Sequence, residues 1–303
     1  MKALNLAFAL ALGTTGAVHA QDTYNIGNQA APWLTLPTSA RVAAMGGAAV
    51  ALGGDIDTLT VNPASLAELG GQQVSLMHDV YVQDTSLEHA AYGLGLGEAG
   101  GAAVAVDYMN YGNIQGYNAD GTPANNLNPW GMAVSAGYGY DFGPVEAGAT
   151  LKVVSEALTS DSNSAFGCDL GVKWSQAKDS GLSAGAALRN WGSQLDQSNL
   201  PTTVQAGLGY RLPLLEGTEA LALALDYSAP TADVDGQSLA LGGEFSGNKL
   251  WAVRAGYQFV GNDGVSGLSL GAGLKYQIFA LDYAFVTEGA LGDSNEFSLS
   301  VKF

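Results

Sequence analysis

From about residue 72 to the terminal Phe303, hydrophobic and polar positions alternate one by one, the mark of β-strands that present two different faces. In EALALALDYSA, Leu221, Leu223, Leu225 and Tyr227 share one face, and Ala222, Ala224 and Asp226 share the other. FGCDLGVKW sets Phe166, Cys168, Leu170, Val172 and Trp174 against Gly167, Asp169, Gly171 and Lys173. EFSLSVKF sets Phe297, Leu299, Val301 and Phe303 against Ser298, Ser300 and Lys302. Fourteen such segments follow one another, at 72–82, 86–97, 100–111, 130–142, 144–156, 164–176, 181–190, 201–211, 219–228, 237–246, 249–259, 267–276, 277–286 and 294–303. Most are about ten residues long, which is what a tilted strand needs to cross a bilayer, and an even number suits a closed antiparallel barrel. The pattern therefore predicts an all-β chain, a 14-stranded antiparallel transmembrane β-barrel.

The connections test this reading. With both termini on the periplasmic side, the odd-numbered connections are the outer loops. Those after the third, fifth, seventh, ninth, eleventh and thirteenth segments are long, beginning with GNIQGYNADGTPANNLNP, whereas EAGG, DFGP and SGNK are tight turns. Two connections fit poorly: the first outer one is short, and LPLLEGTE is long for a periplasmic turn. The Leu/Val/Tyr/Phe face is expected to meet lipid. The opposite face, rich in Gly, Ala and Ser, is expected to line the lumen, with Asp107, Glu146, Asp169, Asp226, Glu244 and Asp282 pointing inward. Lys152, Lys173, Arg189, Arg211, Arg254 and Lys275 are expected there too, where opposite charges can pair or stay hydrated.

Composition agrees. Glycine is 42 of 303 residues, about twice the usual share, and charged residues are 13%, about half that of soluble proteins. A net charge of −17 argues against nucleic acid as a partner, because that binding needs a basic footprint. The first twenty residues, MKALNLAFALALGTTGAVHA, read as a secretory signal peptide: Lys2, an apolar stretch from Ala3 to Leu12, and a small-residue cleavage site ending at Ala20. The expected organisation is a signal peptide at 1–20, an N-terminal hatch segment at 21–71 and the barrel at 72–303. The expected location is the outer membrane of a diderm bacterium, with membrane lipid as the surrounding partner.

Several motifs imitate enzyme sites. GLGEAG (95–100) spells a dinucleotide loop, but a strand follows where that loop needs a helix. GLSAG (181–185) and GLSLG (267–271) spell a hydrolase elbow inside alternating strands, and neither His78 nor His89 adjoins a nucleophile. TADVDGQ resembles the start of a calcium loop at Asp233 and Asp235, yet Gly242 stands where the bidentate acid is required. With one cysteine, Cys168, no internal disulfide forms. No enzyme activity, metal or cofactor is expected.

The run VAAMGGAAVALGG (42–54) is too short to span a membrane and too rich in glycine for a stable helix. It lies within SARVAAMGGAAVALGGDIDTLTVNPASLAEL, where Ala40-Arg41, Ala44-Met45-Gly46-Gly47-Ala48 and Asn62-Pro63-Ala64 stand at a recognisable spacing. With YGNIQGYNADG (111–121), ALRNWG (187–192), LPTTVQAGLGY (200–210) and LDYAFVTEGALGDSNEFSLS (281–300), the mature chain resembles the PorV/PorQ family of outer-membrane barrels, distantly related to FadL-type transporters. Ser65 departs from the family's Asn-Pro-Ala-Gly, which puts a left-handed backbone there in doubt.

The FadL-type resemblance implies that the N-terminal segment folds into the lumen as a hatch. A fourteen-strand barrel is too wide for small side chains to fill, so its lumen calls for an occupant. Arg41, Met45, Gly46, Gly47, Asn62 and Pro63 are then the expected hatch residues, and Arg41 needs a carboxylate partner. The PorV resemblance implies a protein-handling component of type IX secretion, with secreted cargo and secretion-system components as partners. For that role the loop around Tyr111, Tyr117 and Trp130 is the candidate binding surface, although an interfacial aromatic girdle accounts for the same rings. The FadL resemblance implies instead a channel for hydrophobic small molecules.

Overall fold

The alternation folds into one sheet that closes on itself. The computed structural model describes residues 29–303 except 160, 178–179, 216–217, 233–235 and 262–265. The signal peptide read at 1–20 and the Asp233/Asp235 loop lie outside the described residues. The barrel strands are β1 (Gln72–Val80), β2 (Ser86–Gly95), β3 (Gly101–Asn110), β4 (Trp130–Asp141), β5 (Val145–Ala157), β6 (Asn163–Ser175) and β7 (Gly181–Gly192). A small hairpin, β8 (Gln194–Leu195) and β9 (Ser198–Asn199), interrupts them. They continue with β10 (Thr203–Leu214), β11 (Glu219–Pro230), β12 (Ser238–Gly247), β13 (Trp251–Val260), β14 (Gly267–Tyr276), β15 (Phe279–Thr287) and β16 (Asp293–Lys302). Each barrel strand pairs antiparallel with its neighbours, and β1 closes the ring against β16, Val74 opposite Val301 and Val80 opposite Asn295.

The two faces separate as the alternation requires. Leu76, Val104, Phe166, Leu170, Leu223 and Phe297 are among the exposed apolar residues, an outer face of the kind that meets lipid in outer-membrane barrels. Asp107, Glu146, Lys152, Asp169, Lys173, Arg189, Asp226, Glu244 and Arg254 are buried on the inner side. Lys275 shares their parity but is exposed near the end of β14. The enzyme-like GLSAG and GLSLG both lie in strands, and GLGEAG spans the β2–β3 turn.

The long turn LPLLEGTE resolves into strand. β10 runs on through Pro213, opposite Ala220, so only residues 215–218 separate it from β11. Pairing with β7 stops at Arg211, so the proline, which has no N–H to donate, stands beyond the last β7 partner.

The segment before β1 runs inside the barrel. It contains 3-10 turns at Pro32–Thr35, Ile56–Thr60 and Pro63–Glu68 and one short helix, α1 (Ala40–Ala44). α1 lies against β13–β16, residues 56–60 against β1 and β2, and residues 63–68 against β2–β6. Ala31, Ala40, Ala44, Ala48, Val50, Ala64 and Leu66 are fully enclosed. Burying a Val or Leu side chain in this way contributes about 1.5–3 kcal/mol.

β1 and β16 do begin and end together, since the Gln72 N–H donates to the Phe303 carbonyl at 2.7 Å. Residue 30 sits at the opposite, long-loop end, where the Ala30 N–H donates to the Asn199 carbonyl at 3.0 Å. The inner segment therefore travels the length of the lumen before the barrel starts.

Candidate functional site

The seat of the inner segment is cut from glycine. A Cβ on Gly148 would lie 2.2 Å from the Pro63 carbonyl oxygen, and one on Gly185 would lie 2.3 Å from that of Val50. A Cβ on Gly256 would meet the Gly46 nitrogen and the Met45 carbonyl carbon at 2.2 Å. The wall touches the backbone of the segment directly, which explains why the lumen face of so wide a barrel carries such small residues.

Charge fixes the segment in this seat. Arg41 donates from Nε and Nη2 to the two carboxylate oxygens of Glu244, at 2.8 and 3.1 Å, and from Nη1 to Asp55 at 2.6 Å. Glu244 also accepts from Arg254 Nε at 2.7 Å, Arg254 Nη1 reaches Asp282 at 2.6 Å, and Lys302 Nζ reaches Asp55 at 2.5 Å. Two arginines and a lysine thus meet three carboxylates in one chain of contacts, the arrangement in which buried charge is tolerated. Glu244 holds the Arg41 guanidinium well above its ordinary pKa against the opposing pull of burial. Burial pushes Asp55 up, but Arg41 and Lys302 outweigh it and hold the carboxyl below the usual range. Asp57 is raised, first by burial and then by Asp55.

The six residues expected in a hatch lie along this inner segment, Arg41, Met45 and Gly46 against β12 and β13 and Asn62 and Pro63 against β6 and β5. Met45 is enclosed beside Gly242. Gly46 and Gly47 turn the chain after α1 with φ of 68° and 84°, a region that favours glycine. The Asn62 side chain donates to the Val50 and Val172 carbonyls at 2.7 and 3.1 Å and accepts from the Ala64 N–H, capping the 3-10 turn that Pro63 opens. Ser65 answers its own question: it is absent from the left-handed residues, and its hydroxyl donates to the Leu52 carbonyl at 3.1 Å.

Further anchors carry no motif in the sequence. Lys173 bridges Glu68 of the segment and Glu146 of the wall at 2.6 and 2.9 Å. Trp33 Nε1 and the Tyr111 hydroxyl both donate to Glu156 Oε1, at 3.3 and 2.7 Å. His89 meets Asp107 at 2.6 Å inside the wall. Strand parity alone could have placed Glu156 and His89 inward, since they alternate with Val153 and Ala90 on the other face.

Two cavities flank the segment. At the long-loop end, one of about 360 Å³ is bounded by Leu36, Val42, Gly46, Gln205, Ser238 and Glu296. At the other end, one of about 350 Å³ is bounded by Leu52, Gly54, Glu68, Lys173, Ser183 and Arg211. Between them stands the chain from α1 to Val50. Among the described residues no group of three His, Cys, Asp or Glu could hold a metal ion.

The three loop aromatics do not share a surface. Tyr111 turns inward to Glu156, and burial followed by that carboxylate raises its hydroxyl pKa. Tyr117 is exposed in the loop, bridged to Pro123. Trp130 begins β4 and stacks on Tyr108, ring centroids 6.4 Å apart. Tyr108 and Trp130 together fit an interfacial aromatic pair.

Similar solved structures include a toluene transporter, a FadL homologue and an outer membrane protein. The crystal structure of the P. putida toluene transporter TodX matches with a TM-score of 0.61 at 12% identity, covering 86% of this chain and 97% of that one. A Pseudomonas aeruginosa FadL homologue matches with a TM-score of 0.55 at 12% identity, covering 88% and 98%. The Acinetobacter baumannii outer membrane protein Omp33 matches with a TM-score of 0.51 at 10% identity, covering 77% and 98%. At these identities the likeness is one of fold. No curated protein matches the sequence. The profile described as "Uncharacterised protein family (UPF0164)" matches residues 8–228. The fold likeness supports the FadL-type side of the sequence resemblance, while PorV/PorQ specifically and a role in type IX secretion find no support in the comparisons.

Proposed function

Because the chain belongs to the family UPF0164 and shares its barrel with outer-membrane channels, we propose that it is a FadL-type, plug-gated channel for small hydrophobic molecules in the outer membrane. One observation carries this reading: the barrel's own N-terminal segment stands between two cavities, seated by contacts that rearrangement can break. The signal peptide expected at 1–20 would bring the chain to that membrane. The substrate class is taken from the named channels: TodX is a toluene transporter, and apolar solutes of that size suit cavities of about 350 Å³.

Charge pairs are suited to a gate. They are strong while shielded and exchangeable once water reaches them, so a solute wedging beside α1 would loosen the seat as it hydrates. The test is uptake of labelled toluene by cells that retain lipopolysaccharide but lack other channels of this type. Expression of this chain should raise uptake. Unchanged uptake, with secreted proteins co-purifying from the membrane in mild detergent, would favour the protein-handling reading instead.

A further inference from the structure

The cavity at the long-loop end has one wall on which three acidic side chains gather. β1, β16 and the residue after β15 bring Asp79, Glu296 and Glu288 to it. Asp79 and Glu296 are cross-strand partners, each 2% exposed. Ser294 donates to Asp79, but Glu296 Oε2 is enclosed with no hydrogen-bond partner although the residue lines the cavity. Among the described residues no lysine or arginine pairs with any of the three. Elsewhere in the lumen Glu146, Asp169, Glu244 and Asp282 each meet a cationic side chain. Arg189, on the far side of the same cavity, turns to the inner segment and donates to the Leu34 carbonyl. Burial, and then Asp79, raise the Glu288 carboxyl. Apolar side chains, Leu36, Pro37, Val42, Val260 and Val286, line other parts of the cavity.

We propose that this wall is a binding subsite for a protonated amine carried on a small apolar body, which names the solute class of the channel read above and rests on that reading. An ammonium group offers three N–H donors that separate carboxylates can share, and such bonds are the strong, charge-assisted kind. A metal ion is the poorer fit, since the described acids form no three-ligand group. A carboxylate-bearing solute would be turned away by like charge.

Isothermal titration of the purified chain in uncharged detergent at pH 7 tests the subsite without requiring passage. 2-Phenylethylammonium should bind at least about tenfold more tightly than 3-phenylpropanoate. Glu296→Gln should weaken amine binding by about tenfold while leaving the carboxylate unaffected, and Glu288→Gln, nearer the mouth, should weaken it less. Heat-modifiable gel migration checks that each variant still forms a barrel. Calcium chloride should not displace the amine. Equal binding of both solutes, amine binding unchanged in both folded variants, or stoichiometric displacement by calcium would each overturn the subsite. Toluene uptake by cells carrying Glu296→Gln separates this subsite from the channel: retained uptake with lost amine preference supports a subsite within a working channel. Persisting amine preference with no uptake by any form upholds the subsite and removes the channel.

Discussion

Arg41 contacts two carboxylates that lie 14 and 203 residues away, so one side chain ties α1 both to the next turn of the inner segment and to the β12 wall. Replacing it with Met leaves Arg254 on Glu244 and Lys302 on Asp55, so the loss should fall at or below the roughly 3–5 kcal/mol of a broken buried pair. Amide hydrogen exchange across residues 40–50 should quicken in Arg41→Met and recover in part in Arg41→Lys; an unchanged rate would mean that packing alone holds the segment. The neighbouring acids respond to pH in opposite senses. Asp55, with its pKa lowered, supports the seat above the ordinary carboxylate range and gives up that support only as pH falls through its depressed value. Asp57, with its pKa raised, favours the fold below that range, and its contribution is lost as pH rises through the raised value. Asp57→Asn should therefore slow exchange of the segment at pH 8 and change it little at pH 4; equal effects at both would contradict the burial argument.

At the scale of elements, the strands carry the seat in their glycines. Gly256→Val would drive a side chain into the Met45–Gly46 backbone and should raise single-channel conductance in planar bilayers by unseating the segment. Gly243→Ala, on the lipid side with nothing nearer than 3.7 Å, should leave conductance and barrel assembly unchanged. Cys168 lies on the outer face of β6, so a lipid-soluble maleimide should label it in membranes and a charged one should not.

The barrel strands were legible because period-2 alternation is local: each begins and ends within a few residues of the expected one, and only the short β8–β9 hairpin was not foreseen. Most inward charges were legible for the same reason, and Lys275 escaped because it lies where β14 ends. What was not legible depends on long-range closure. Nothing in Ala30 or Asn199 signals that they meet, so the direction of the inner segment could not be read. The acidic wall forms only when β1 closes on β16, bringing Asp79 to Ser294 across 215 residues. Tyr111, Tyr117 and Trp130 are close in sequence yet face three ways, because the loop and the strand end that carry them follow separate constraints.

At the scale of the whole molecule, the barrel is a rigid frame around a segment held by close backbone contact and shared charge. On the channel reading proposed above, passage opens by moving the segment while the wall stays closed. The contact between Ala51 and β10 offers a direct lock: a Cβ on Gly209 would stand 3.5 Å from that of Ala51, within the span of about 3.5–4.5 Å that a disulfide bridges, once the Ser183 hydroxyl, 2.5 Å from that Cβ, rotates away. The decisive measurement is toluene uptake by cells carrying Ala51→Cys and Gly209→Cys in a Cys168→Ser background, before and after reduction. Plug-gated passage predicts uptake near the background level when oxidised and near the level of the Cys168→Ser chain when reduced. Equal uptake in the two states, with the cross-link confirmed by mass spectrometry, would contradict passage through the seat of the inner segment.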